Sequence, residues 1–318
     1  MIDKIRTGVL GVGTMGANHA RVYAELPEAD LVGVFDADRA RAEACAGRFG
    51  CRAFPTLNGF LHAGIEAVSV AAPTSLHHEI VLQALEAGLH VLVEKPIAAT
   101  RPEAEAMIRA AEGAGRKLMV GHIERFNPAV RAIKKAVRPE EIISINVVRV
   151  GPRPPRIKDA GVIIDMAVHD IDLVHFLTGS TVEEVYCVTS ANFDLFEDTA
   201  SILLRMNNGV GAQLTANWIT PYKAREIQVI TADRLIRADL LTRHVQESSR
   251  YSGDDGSYLV RDVYVRHREP LLAQLQAFLD AVATDAPPAI TGEDGLRVLD
   301  VAIRASAYKK QPVIRVAS

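Results

Sequence analysis

The chain has 318 residues, 48% of them hydrophobic and 24% charged, with a formal net charge of -3. These are the proportions of an ordinary globular chain long enough for two domains, and the absence of any long basic block excludes nucleic acid as its main partner. Three scattered cysteines, Cys45, Cys51 and Cys187, are too few for a disulfide framework or a zinc site. Met1 runs within a few residues into a strand-like segment, and no apolar run nears the ~18 residues needed to cross a bilayer, so a cytoplasmic protein with no membrane partner and no bound metal is expected.

The first third alternates short apolar runs with helical patterns. Residues 7–10, 31–35, 67–71, 90–93 and 117–120 read as buried strands, and residues 16–26, 39–49, 77–87 and 101–114 as helices. Strands alternating with helices imply right-handed crossovers and a doubly wound parallel sheet. The rhythm changes after Gly121. Strand-like segments at 142–150, 182–192, 200–206, 210–218 and 226–231 dominate, with helices at 163–177, 271–283 and 295–307 and a polar loop at 248–257. Val210, Ala212, Leu214, Ala216 and Trp218 alternate with polar or small neighbours, the period of an antiparallel strand covered on one face. Asn207-Asn208-Gly209 is a hairpin signal. The expected class is α/β: a dinucleotide-binding domain over residues 1–122, then a substrate and oligomerisation domain over 123–318 with a large, mainly antiparallel sheet.

Gly11-Val12-Gly13-Thr14-Met15-Gly16 falls between the first strand and the first helix. Gly11 suits the tight turn, Gly13 a close approach of pyrophosphate, and Gly16 close packing of the helix. The N–H groups around Thr14 and Met15 would then face the phosphates at a helix N-terminus. Asp36 ends the second strand about 20 positions on, where a carboxylate accepts the ribose 2′-hydroxyl and repels a 2′-phosphate. The expected cofactor is NAD, although Arg39 and Arg41 stand close by.

Glu94-Lys95-Pro96 follows a buried strand, and ligands of open parallel sheets lie beyond the carboxyl ends of the strands. Lys95 is therefore placed to orient a hydroxyl or donate to a developing carbonyl oxygen, with Glu94 tempering its charge. Asp165 and His169 are four apart on a helical segment and share a face, and a histidine held by a carboxylate can act as a base near neutral pH. Asp172 falls on an adjacent part of the same helix, whereas Asp170 and His175 point elsewhere.

Together the glycine fingerprint, His90-Val91-Leu92-Val93-Glu94-Lys95-Pro96, and Asp165-Met166-Ala167-Val168-His169-Asp170 resemble the Gfo/Idh/MocA oxidoreductases, and the likeness covers essentially the whole chain. The resemblance implies hydride transfer between nicotinamide and a secondary alcohol of a sugar or cyclitol, with Lys95, Asp165 and His169 as the catalytic set. It adds Pro73, Thr74, His77, Glu94 and Lys95 to the cofactor residues. It also implies a homo-oligomer, dimer or tetramer. The chain departs from the usual pattern at Ala160-Gly161 and at Ala167-Val168, where a pair of glycines and a Gly-Ser are common. The second change would crowd the region beside His169.

Three stretches are similar to the UDP-N-acetylglucosamine 3-dehydrogenase branch of that family: residues 120–130, 159–165 and 216–221. That narrower likeness implies a nucleotide sugar oxidised at its 3-hydroxyl, contacted by His122, Arg125, Asn127, Arg153, Arg156 and Trp218, as well as by Asp165 and His169. Lys158, Lys223 and Arg225 are further cations suited to a diphosphate. The rival expectations are a myo-inositol or free-sugar dehydrogenase with the same residues, and a dinucleotide-binding regulatory protein without catalysis.

Overall fold

Apolar runs of four to six residues between glycine-rich turns build the first sheet. A computed structural model describes residues 4–154, 160–192 and 196–308. The chain divides into two units, Met1–Ile123 with Glu269–Leu299, and Glu124–Arg268 with Asp300–Ser318. The first unit runs β1 (Ile5–Leu10), α1 (Thr14–Glu25), β2 (Ala29–Phe35), α2 (Arg39–Phe49), β3 (Arg52–Ala53), α3 (Leu57–Leu61), β4 (Ala67–Val70), α4 (His77–Glu86), β5 (His90–Glu94), α5 (Arg101–Ala114) and β6 (Leu118–Gly121). Its strands are ordered β3-β2-β1-β4-β5-β6, every neighbour parallel. The order reverses between β1 and β4, which makes the carboxyl ends of those strands the expected ligand crevice.

In the second unit α6 (Pro128–Ala136) precedes β7 (Ile142–Pro152), and a π-helical turn (Ile163–Ala167) runs directly into α7 (Val168–Thr178). Then come β8 (Val182–Ser190), β9 (Thr199–Met206), β10 (Gly211–Asn217), β11 (Ile219–Thr231), β12 (Arg234–Asp239), β13 (His244–Ser249) and β14 (Val260–Asp262). The sheet order is β14-β13-β12-β11-β7-β10-β9-β8. Only the β7–β10 pair is parallel; the other neighbours are antiparallel. In β9, Ala200, Ile202, Leu204 and Met206 are buried while Ser201, Leu203 and Arg205 are exposed, as a strand covered on one face demands. The covered face carries α7, packed on β7 and β10, and α6, packed on β12 and β13.

The chain ends with α8 (Pro270–Ala283) and α9 (Gly292–Ser306). Helix α8 lies against α1, and Arg21 of α1 is bonded to Glu269 at its start. The segment Glu269–Leu299 thus belongs to the first unit, far from it in sequence.

Helix α6 stands where no helix was expected. Its signals are nevertheless local: Asn127 caps it through the Ala129 N–H, Pro128 occupies the first turn, and Val130 and Ile133 share the buried face. Strands β12 and β13 were also unexpected, because only half of the positions of β12 and one of the six in β13 are apolar. The loop expected at 248–257 holds the end of β13 and a turn closed by the Ser252–Ser257 bridge.

Candidate active site

The glycine loop is drawn tight by its own backbone. Gly11 has φ +81°, and a Cβ there would come within 2.8 Å of the Ala72 backbone nitrogen. A Cβ at Gly16 would overlap the Gly11 carbonyl oxygen. Gly13 differs, since a Cβ there would meet nothing within 4 Å. Gly11 and Gly16 are thus needed for the loop itself, whereas no part of the chain demands a glycine at Gly13. Helices α2, α3 and α5 are each capped by a side chain, from Asp38, Thr56 and Thr100, whereas α1 begins at Gly13 with none. Its first-turn N–H groups receive no cap from the Gly13 position, the condition in which a helix N-terminus can take an anion.

Asp36 is tied to this loop. Its Oδ2 accepts from the Val12 N–H at 2.7 Å and its Oδ1 from the Asp38 N–H at 2.8 Å. The two nearby arginines are engaged with carboxylates: Arg39 with Glu43 at 2.7 Å, and Arg41 with Asp36 at 3.3 Å and Asp38 at 3.2 Å. With both guanidinium groups so held and a carboxylate at the end of β2, the residues present fit a ribose diol and disfavour a 2′-phosphate.

Lys95 follows β5 directly, joined to Pro96 by a cis peptide bond, and is half-buried. Glu94 beside it is buried, and its Oε1 is 3.0 Å from Nε2 of the wholly buried His19 on α1. Burial pushes the Glu94 carboxyl up, but the His19 hydrogen bond and the charges of His19, Lys95 and His77 outweigh it and hold Glu94 below the usual carboxylate range. His77 has a role the sequence did not suggest. Its Nδ1 is 3.0 Å from the Pro96 carbonyl oxygen and its Nε2 2.9 Å from that of Ala72, so the ring lies between the turn after β4 and the turn after β5 and its one N–H donates to one of the two carbonyls. It is buried and buttresses these two turns from within. Pro73 is exposed and Thr74 half-buried in the short 3₁₀ turn ahead of α4.

In the second unit, Asp165 sits in the π-helical turn and His169 in the first turn of α7, both half-buried. The single regular helix expected here is interrupted, and such wide turns recur at functional sites. Gly161 is required just before it, because a Cβ there would overlap the Glu197 carboxylate, whose Oε1 accepts from the Ile163 N–H at 3.3 Å. Val168 is fully buried, so it packs into the core and does not crowd the exposed side of His169, contrary to expectation.

A buried ionic network anchors α7. Arg149 of β7 donates through Nε to Asp170 at 2.8 Å and through Nη1 to Glu124 at 2.9 Å. Burial pushes Asp170 up to about 6 in spite of Arg149, whereas the Arg149 charge and hydrogen bonds carry Glu124 below its ordinary range in spite of burial. Arg125 was expected to touch substrate. It is buried and donates through Nε and Nη2 to Asp172, at 2.9 and 2.6 Å. Asn127, given the same role, donates to Glu124 at 3.0 Å and to the Leu240 carbonyl at 3.1 Å while capping α6. Both polar groups are buried and bonded to the protein's own groups, an arrangement that positions α6 and α7.

Arg225 is the open member of the cluster, 40% exposed, 3.4 Å from Glu124 and within the electrostatic reach of Asp165. Arg153 lies with its guanidinium 5.4 Å from the Trp218 ring centroid, while Trp218 is only 5% exposed. His122 is buried. Arg156 and Lys158 lie outside the described residues. Among the described residues no group of three or more His, Cys, Asp or Glu side chains is arranged to hold a metal ion.

The parallel sheet with its reversed strand order, the glycine loop at an uncapped helix and Asp36 define a dinucleotide-binding oxidoreductase domain. Comparison with known proteins gives the family. Residues 5–122 match the oxidoreductase family with an NAD-binding Rossmann fold, and residues 132–236 match the GFO/IDH/MocA C-terminal domain. A UDP-N-acetylglucosamine 3-dehydrogenase from Acidithiobacillus ferrooxidans is 36% identical over 94% of this chain and 96% of its own. Its crystal structure superposes with a TM-score of 0.89, covering 95% of this chain and 97% of that one. An inositol 2-dehydrogenase from Rhizobium meliloti is 29% identical over 96% of this chain and 98% of its own. The chain belongs to the Gfo/Idh/MocA family of oxidoreductases, and its cofactor is NAD.

Proposed function

We propose that the protein oxidises a secondary hydroxyl of a sugar, the 3-hydroxyl of a UDP-N-acetylglucosamine-like nucleotide sugar, to a ketone. The observation that carries the catalytic reading is the half-buried Asp165–His169 pair on a widened turn, in a chain whose first unit ends β5 with Glu94-Lys95. The 36% identity to an enzyme named for that substrate supports the choice of sugar.

Gly11, Gly13, Gly16 and the N–H groups of Thr14 and Met15 would hold the pyrophosphate, and Asp36 the ribose diol. Pro73 and Thr74 line the same crevice. When bound, NAD supplies the acceptor for a hydride. His169 takes the proton of the reacting hydroxyl as the carbon–hydrogen bond gives up its electron pair as hydride, leaving a carbonyl. Lys95 donates to that oxygen and stabilises the charge that develops on it. Asp165 orients His169. Arg153, Lys223 and Arg225 are the described cations that would meet a diphosphate, with Trp218 beneath Arg153 as a packing platform.

The protein acts as a homo-oligomer in this reading. Tyr186 and Leu203 are cross-strand partners on the uncovered face of the large sheet, 58% and 55% exposed. Residence in the cytoplasm fits the free thiols of Cys45, Cys51 and Cys187.

The test is NADH formation with UDP-N-acetylglucosamine, UDP-glucose, myo-inositol and free hexoses, each offered NAD and NADP. Turnover of UDP-N-acetylglucosamine with NAD is the expected result. Turnover of inositol or free hexoses alone would replace the nucleotide sugar by a free one, and no turnover of any of them by a protein that binds NAD would remove the catalytic reading for these sugars.

A further inference from the structure

His19 is a titratable side chain with no exposure, and nothing in the reaction so far uses it. It lies on α1, three residues past the last glycine of the dinucleotide loop. Its Nε2 is 3.0 Å from Glu94 Oε1, and since a carboxylate only accepts, Nε2 carries the proton of that bond. The chain also makes room for the carboxylate. Gly121 ends β6 beside it, and a Cβ there would come within 2.8 Å of the same Oε1. Among the described residues, the charged and titratable groups that act most on Glu94 are His19 from α1, its neighbour Lys95 and His77 from α4, while β6 brings the Gly121 backbone against it.

We propose that His19 is a positioning residue for the reaction: its Nε2–H fixes the Glu94 carboxylate next to Lys95, so the helix that carries the dinucleotide loop also sets the counter-charge of the reacting lysine. The inference rests on Lys95 as a catalytic group. A buried carboxylate stays ionised only if donors and cations oppose its desolvation. The His19 hydrogen bond is the strongest opposing influence on Glu94, ahead of any of the nearby charges. Without it Glu94 shifts toward its protonated form, and the ammonium of Lys95 loses the negative charge that favours it.

The test reads Lys95 directly and needs no substrate. The rate at which Lys95 is acetylated by a limiting amine reagent is followed against pH by peptide mass spectrometry, in wild type, His19→Leu, His19→Gln and Glu94→Gln. In His19→Leu the lysine is expected to titrate about one pH unit lower, so that it labels about tenfold faster on the acid side of its transition. His19→Gln, which keeps an N–H donor near the same place, is expected to stay close to wild type. Glu94→Gln is expected to show the shift by itself, and His19→Leu combined with Glu94→Gln to add nothing to it.

An unchanged Lys95 titration in folded His19→Leu would overturn the proposal, as would an equal, further shift on adding His19→Leu to Glu94→Gln. Should His19→Leu fail to fold, the Gln variants decide: a Lys95 shift in Glu94→Gln with none in His19→Gln supports the proposal, and no shift in Glu94→Gln overturns it. Turnover by the same variants separates this from the catalytic reading. A Lys95 titration that moves while kcat does not would leave His19 in place and remove Lys95 from the reaction.

Discussion

Every residue of β4 and β6 is buried, whereas β9 alternates buried and exposed along its whole length. All three strands are largely apolar by composition, and the difference lies in what covers them. The parallel sheet must be crossed over by helices on both faces, so its strands lose contact with water everywhere but at their ends. The residues of its proposed site stand at those ends, in the glycine loop, at Asp36 and at Glu94-Lys95. The mixed sheet is covered on one face by α6 and α7, and the proposed Asp165–His169 pair sits at the start of the covering helix and not on strand termini. In the first unit the fold itself makes the ligand site. In the second, the site depends on how firmly α7 is held, and a buried network of Arg149, Asp170, Glu124, Arg125 and Asp172 does the holding.

The largest effect expected is at the helix-borne site. His169→Ala should lower kcat by about a thousandfold or more, within the span general-base loss produces, while NAD binding by fluorescence titration stays within about twofold. Loss of NAD binding instead would erase the division of labour between the units.

Core truncation sharpens the contrast in burial. Leu92→Ala in β5 and Leu204→Ala in β9 remove fully buried side chains, and each should cost about 2–5 kcal/mol in urea unfolding. Leu203→Ala, one residue away on the uncovered face, should stay within about 0.5 kcal/mol as a monomer. A Leu203 cost as large as that of Leu204 would mean that this face is covered in solution, which the oligomer of the proposed function predicts at high protein concentration.

Asp36→Ala tests the strand-end chemistry of the first unit. The ratio of kcat/KM for NAD over NADP is expected to fall by about 10- to 100-fold, since the ribose hydrogen bond is lost and Arg41 is released from its carboxylate. An unchanged ratio would place cofactor choice elsewhere.

The smallest effect is a pH dependence in the network of the second unit. Asp170 is held at about 6 in the folded chain against an ordinary 3.8. A raised carboxyl favours the fold in its protonated form, so its contribution is complete below about pH 4 and is lost as pH rises through about 6. Glu124 is depressed, so its contribution is present above its ordinary value of 4.5 and is lost as pH falls. Asp170→Asn should therefore flatten the fall in thermal stability between about pH 4 and 6, seen by calorimetry, and leave the acid limb below it in place. A slope unchanged by Asp170→Asn would show that the Arg149 pair keeps Asp170 ionised throughout.

Much was legible in the sequence because it is written in neighbouring residues. The glycine spacing, the acid after the second strand and the Glu-Lys-Pro after a buried run specify a backbone turn, a hydrogen bond and a strand end within one βαβ unit each, so local pattern suffices. Alternation in β9 and β10 likewise shows in the residues themselves. What the sequence left open were pairings across long separations. Arg125 and Asn127 read as free polar groups near a site, because nothing local says that Asp172 and Leu240 will meet them. His19 read as one more residue of a helix until β5 brought Glu94 to it, 75 positions away in the chain. A buried polar group must find its partner wherever the fold provides one, and that partner is set by tertiary packing, not by the period of the chain.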